Sequence, residues 1–235
     1  MGVQMIGTRS TFVALATLAI SACSRDGPET AFASSSTPKS TAAVLDAVTP
    51  ASVNGAALRL VLASTGNAAR YRVRERLVGH DLPNDAIGET KNLTGAIVFD
   101  SNGKVIREAS KFTVDAGSFV SDKDRRDGFV RGRLLDAEQY PTVVLVPTAV
   151  RGMTIPLPTS GTRTFEMTGD LTVRGVTRPT TWNGTVQFKD GGVSGSAATA
   201  FTFDDIQMEQ PRVPVLLSVA DTIRLEITFN LVQQR

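Results

Sequence analysis

The sequence predicts an all-β, antiparallel fold that closes on itself, a sandwich or a barrel of about eight strands. Three observations predict it. Apolar residues recur at every second position through most of the chain from Ala57 onward. Turn signals rich in Gly, Asn and Asp separate those runs. No segment alternates strand with helix as a doubly wound sheet requires. Of 235 residues 41% are hydrophobic and 20% charged, enough apolar material for a core.

The chain opens differently. Residues 1–22 carry Arg9 as their only charge, followed by the apolar run Thr11 to Ile20. That run falls far short of the roughly 20 residues that span a bilayer and has the length of a signal-peptide core. Ile20-Ser21-Ala22-Cys23 places small residues and the single Cys directly after it, which resembles a bacterial lipobox. The expectation is a lipoprotein signal peptide over residues 1–22 and lipid attachment at Cys23. Ser24 follows the Cys, the pattern of an outer-membrane lipoprotein facing the periplasm. Residues 23–56, rich in Ser, Thr, Ala and Pro, read as a disordered, lipidated tether. Residues 57–235 read as one domain.

Within that domain Leu58, Leu60 and Leu62 alternate around Arg59. Ile97 and Phe99 lead into Asp100-Ser101-Asn102-Gly103, a hairpin signal, and Phe112 and Val114 follow it. Ser121-Asp122-Lys123-Asp124 opens a stretch with N-cap chemistry. There Phe129, Val130, Leu134 and Leu135 stand at near-helical spacing until Tyr140-Pro141, predicting one short helix. Val143 to Val146 is apolar throughout and predicts burial on both faces. Phe165, Met167, Leu171 and Val173 share a face, as do Trp182, Val186 and Phe188. Asp190-Gly191-Gly192 turns the chain toward Phe201 and Phe203. Ile223, Leu225, Ile227, Phe229 and Leu231 alternate along the last strand.

Composition excludes several functions. A formal charge of +2 gives no basic excess for nucleic acid. One Cys and one His cannot supply a two-thiolate zinc site or any two-histidine metal site. A hydrolase would have to use His80, yet no Gly-x-Ser-x-Gly elbow accompanies it. The expectation is a protein that is no enzyme and needs neither metal nor cofactor.

Arg126-Asp127 through Tyr140-Pro141 resembles a signature of the YceI-like family. Gly169-Asp170-Leu171-Thr172-Val173-Arg174-Gly175-Val176-Thr177-Arg178-Pro179 is similar to that family's central motif, and Ser218 to Phe229 to its closing strand. The resemblance covers roughly residues 57–232. It implies an eight-stranded, lipocalin-like antiparallel barrel in the bacterial envelope whose lumen binds a polyisoprenoid or similar amphiphilic lipid. Phe112, Val114, Phe165, Met167, Trp182, Phe201, Leu225 and Ile227 would line that lumen. A filled barrel acting as a structural or interaction module is the alternative, decided by lumen volume.

Two polar groups carry paired readings. Arg70, Arg72, Arg74 and Arg76 share one strand face, either a solvated outer surface balanced by acids or an anion clamp at the barrel mouth. Arg126, Asp127, Arg174 and Arg178 are expected to form a structural polar network that pins the short helix, in preference to a catalytic or ligand-contacting set.

Overall fold

The computed structural model describes residues 55–189 and 191–234. The leader, Cys23 and nearly all of the tether lie outside those residues. Ten strands follow in order: β1 (Ala56–Leu62), β2 (Ala68–Leu77), β3 (Asn84–Thr90), β4 (Leu93–Asp100), β5 (Lys111–Asp115), β6 (Thr142–Arg151), β7 (Ser160–Val173), β8 (Val176–Lys189), β9 (Gly192–Thr202) and β10 (Leu216–Gln234). Eight of them, β1-β4-β5-β6-β7-β8-β9-β10, pair neighbour to neighbour, and β10 pairs back to β1 to close an antiparallel barrel. β2 and β3 form a hairpin added to β10 beside that ring.

Strand β10 is long enough to serve two partners. Its Leu216–Thr228 stretch pairs with β2, and Leu231–Gln234 pairs with β1. Between the two stretches the backbone would lose its ladder. Asn67, only 9% exposed, repairs it: its carbonyl accepts from Asn230 N at 2.7 Å, and its amide donates to Ala63 O. Ala63 N in turn donates to Asn230 O.

Inward residues keep the expected parity. Leu58 and Leu60 on β1, Phe165 to Val173 on β7, Trp182 to Phe188 on β8 and Ile223 to Leu231 on β10 all point into the barrel. Three local expectations are corrected. The Asp100–Gly103 turn forms, with Asp100 Oδ1 accepting from Asn102 N and Lys104 N, but it closes only onto Val105. The chain then makes a further turn over Arg107–Ala109 before β5, and that segment covers Val98 on the outer face of β4.

Val143 to Val146 is not buried on both faces. Val143 and Leu145 point inward, while Val144 and Val146 are half-exposed outside, because only part of the outer wall is covered. A bulge at Pro147–Ala149 then resets the parity so that Val150 faces Met167. The helix is shorter than the apolar spacing predicts. α1 spans Asp124–Phe129 and passes into one wide turn over Val130–Leu134, closed by Leu135 N donating to Val130 O at 2.8 Å. Gly128 and Gly132 weaken the run as a regular helix. Its start is held from within: Asp127 accepts from Ser121 N at 2.9 Å and Ser121 Oγ at 2.6 Å.

One end of the barrel is filled. Leu60, Phe99, Val186, Phe188, Val193 and Leu231 are all buried there. Phe165 and Phe229 meet edge to face, centroids 6.0 Å apart. Each stands opposite a glycine on the next strand, Gly184 and Gly195, where an added Cβ would fall 2.7 Å and 3.0 Å from the rings.

Candidate ligand-binding cavity

The other end of the barrel is hollow. A cavity of about 840 Å³ lies there, within the range of about 300–1,000 Å³ usual for small-molecule sites. Six of the eight predicted lumen residues line it: Phe112, Val114, Trp182, Phe201, Leu225 and Ile227. Phe165 and Met167 do not. They sit on the first half of β7, in the filled end, and Leu171 and Val173 further along the same strand take their place. Parity fixes the face of a strand and says nothing about height along the barrel.

Trp182 presents its ring to the cavity while its indole N–H donates to Thr180 Oγ1 at 3.0 Å, and that hydroxyl donates to Gly169 O. The roof comes from two segments outside the strands. Phe129, Val130, Leu134 and Leu135 descend from α1 and the wide turn, and Phe203, Ile206 and Met208 from the loop after β9.

The hairpin supplies the remaining wall. On β2 the side chains of Tyr71, Val73, Glu75 and Leu77 face the cavity, alternating with the arginines. Arg70 bonds Glu89 at 2.6 Å, and Arg72 and Arg74 share Asp85 at 2.9 and 3.1 Å. Hydrogen bonds from Arg72 and Arg74 hold the Asp85 carboxyl below its ordinary range. Arg70, Arg72 and Arg74 therefore belong to an outer face where neighbouring acids pair them, and Arg76 is exposed on the same face, so the clamp reading fails for the three paired arginines.

The inward face of β2 was missed because four arginines dominate the run. Its signal was present in the sequence: a Tyr, a Val and a Leu of one parity with an acid among them. Glu75 is buried, its side chain 8% exposed, and receives Arg126 Nη2 at 2.7 Å and Asn84 Nδ2 at 3.1 Å. The other arm of Arg126 binds Asp122. Burial works against the Arg126 charge, but Glu75 and Asp122 outweigh it and raise its pKa. The Tyr71 hydroxyl is pushed up to about 12, chiefly by burial, against the lowering effect of Arg126. Its ring lies on Gly88 of β3 and tilts against Phe119, centroids 5.6 Å apart.

Arg126, Asp127, Arg174 and Arg178 do not form one network. Arg126 and Asp127 hold α1 through Glu75, Asp122 and Ser121. Arg174 takes a positive φ of 48° in the β7–β8 turn, next to Gly175, which fits under the Tyr140 ring. The Tyr-Pro and Arg-Gly motifs thus meet in space. Arg178 reaches Asp205 at 2.6 Å and lies over Phe201, pinning the loop after β9 to the barrel. Asp205 is held at about 2, first by the backbone N–H of Thr202 and then by Arg178. His80 is exposed beside the cavity mouth. Among the described residues, no group of three His, Cys, Asp or Glu side chains is placed to hold a metal ion.

Comparison with known proteins places this architecture. A UPF0312 protein of Pseudomonas putida is 33% identical over 147 residues, covering 52% of this chain and 71% of that protein. One from Pseudomonas syringae pv. tomato is 29% identical over 157 residues, 63% of this chain and 74% of that one. Among solved structures, a polyisoprenoid binding domain from Saccharophagus degradans, implicated in plant cell wall breakdown, superposes with a TM-score of 0.59. It is 12% identical, with 75% of this chain and 98% of that one covered. Burkholderia cenocepacia BcnA gives 0.52 at 16% identity, covering 72% and 98%. At those identities the likeness shows the fold. The YceI-like domain model matches residues 65–231, and with the closed barrel and both motifs in place the chain belongs to the YceI-like family.

Proposed function

We propose that this protein is a non-catalytic, lipid-anchored protein of the bacterial cell envelope that binds or carries a polyisoprenoid or similar amphiphilic lipid in its barrel. The carrying observation is the apolar cavity of about 840 Å³ above a filled half-barrel. A chain seated among Phe112, Leu145, Trp182 and Ile227 gains roughly 25 cal/mol per Å² of apolar surface withdrawn from water, with no chemistry required. The structural neighbour from Saccharophagus degradans, described as a polyisoprenoid binding domain, supports the same ligand class. The filled-module reading describes only the half of the barrel around Phe165 and Phe229.

Anchoring rests on the lipobox-like Ile20-Ser21-Ala22-Cys23, and the outer-membrane, periplasm-facing location on Ser24. The test expresses the full chain with its leader and Cys23→Ala, recovers the protein from the periplasm and extracts it with organic solvent for mass spectrometry. A stoichiometric prenyl-chain lipid is expected. An empty extract, repeated after incubation with native membrane lipids, would return the protein to the filled-module reading. Labelled fatty acid should enter the wild-type chain and not the Cys23→Ala variant.

A further inference from the structure

Most of the cavity wall is apolar; among the charged side chains that border it, Glu75, facing it from β2 beneath α1, is the buried carboxylate. The Glu75 side chain is only 8% exposed. Its Oε1 is taken by Arg126 and Asn84. Among the described residues, Oε2 accepts no hydrogen bond, and the hydroxyl of Tyr71, on the same face and closer to the filled end, has no partner. Oε2 is therefore free to accept a hydrogen bond from a group seated in the cavity.

The neighbouring cation cannot serve an anionic ligand in its place. One arm of Arg126 is committed to Glu75 and the other to Asp122 and Ser121, so no open fork faces the cavity. Asp127, 4% exposed, adds a second buried acid to the cluster. Glu75 and Asp127 thus set two buried carboxyls against the single cation Arg126. The cations that also border the cavity are spent or wet. Arg70 pairs with Glu89, while Lys123 and Arg125 are solvent-exposed, as is His80. Glu226, the remaining acid at the cavity wall, belongs to Arg72 and Arg224.

We infer that Glu75, assisted by Tyr71, reads the polar end of the ligand, and that the cavity takes an amphiphile whose headgroup donates hydrogen bonds, a hydroxyl or an amine, in preference to a phosphate. This rests on the lipid-binding reading above. The chain then runs toward Trp182 and Phe112 while the headgroup stays under α1 near the mouth. A phosphate in that position meets a like charge in a medium where charges are poorly screened; a donor completes Oε2.

The experiment uses the full chain carrying Cys23→Ala and three probes with the same prenyl tail: farnesol, farnesylamine and farnesyl monophosphate. Trp182, the only tryptophan, reports occupancy by fluorescence. The alcohol and the amine are expected to bind at least about tenfold tighter than the monophosphate, a difference of about 1.4 kcal/mol. Glu75→Gln, which keeps the shape and removes the charge, should shrink the amine-over-phosphate ratio by about tenfold. Tyr71→Phe should weaken the alcohol and leave the amine ahead of the phosphate.

A monophosphate that binds as tightly as the others overturns the assignment, and so does a ratio that Glu75→Gln leaves unchanged. The wild-type ranking decides the matter even if a variant fails to fold. Equal binding of all three probes removes the headgroup assignment alone. Binding of none removes the lipid-carrier reading on which it stands.

Discussion

Asp127 shows how much one buried side chain carries in this barrel. It sits 4% exposed and accepts both the N–H and the hydroxyl of Ser121 at the start of α1. Asp127→Ala leaves those donors without their acceptor, so urea denaturation should show a loss of roughly 1–3 kcal/mol. Lipid content should fall with it, because α1 roofs the cavity; full stability with lost ligand would make Asp127 a ligand contact instead. Tyr71 gives the pH counterpart. Its folded pKa of about 12 lies above the ordinary 10.0, so the fold favours the neutral phenol. That stabilisation is complete below pH 10 and is lost as the pH rises from 10 through 12. The urea midpoint of the wild type should fall across that window more steeply than that of Tyr71→Phe; parallel curves would deny the burial. At this scale the sequence was legible where a residue's parity was read and illegible where partners decide. Arg126 and Asp127 stand out as a pair, but only the fold reveals that Glu75, distant in sequence, is the partner of Arg126.

Strands were the most legible elements, because period-two burial is written residue by residue and β10 keeps it from Ile223 to Leu231. Elements whose form depends on covering were less so. Val144 and Val146 read as core and lie half-exposed, since nothing in Val143–Val146 says what packs outside β6. The loop after β9 lines the cavity through Phe203, which the pattern places with Phe201 on the returning strand, and through Ile206 and Met208, which no period announces. The aromatic plug is an element-level device: Phe165 and Phe229 each use a cross-strand glycine as their seat. Phe229→Ala should cost roughly 3–5 kcal/mol in denaturant unfolding. Probe binding to the cavity should stay within a few-fold, because neither ring lines it. A small loss of stability with abolished binding would mean that the two halves are not independent. A double-mutant cycle with Phe165→Ala should return a coupling of about 0.5–1.5 kcal/mol.

As a whole molecule the barrel is neither the open tube nor the solid module that composition allows; it is one of each, end to end. Period-two patterning yields the closed antiparallel sheet, and the family motifs yield its eight-strand ring. The division into halves was hidden, because it depends on which glycines let aromatic rings cross the lumen, at Gly184 and Gly195 but not at the level of Trp182. The ten-strand count was hidden too. The stretch from Arg70 to Arg76 reads as one strand face, yet only the length of β10 makes room for a hairpin beside β1.

The shared strand has a last consequence, in exchange kinetics. β3 ends the sheet order, and among the described residues its backbone bonds beyond the ladder to β2 are the pair of 2.9 Å bonds that Glu89 exchanges with Val120, in the segment between β5 and α1. Outward-pointing amides of β3 other than Glu89 should therefore take up deuterium early, while β7 and β8, laddered along fourteen residues each, stay protonated longest. Deuterium uptake that is equally slow in β3 and β8 would mean the hairpin opens only with global unfolding.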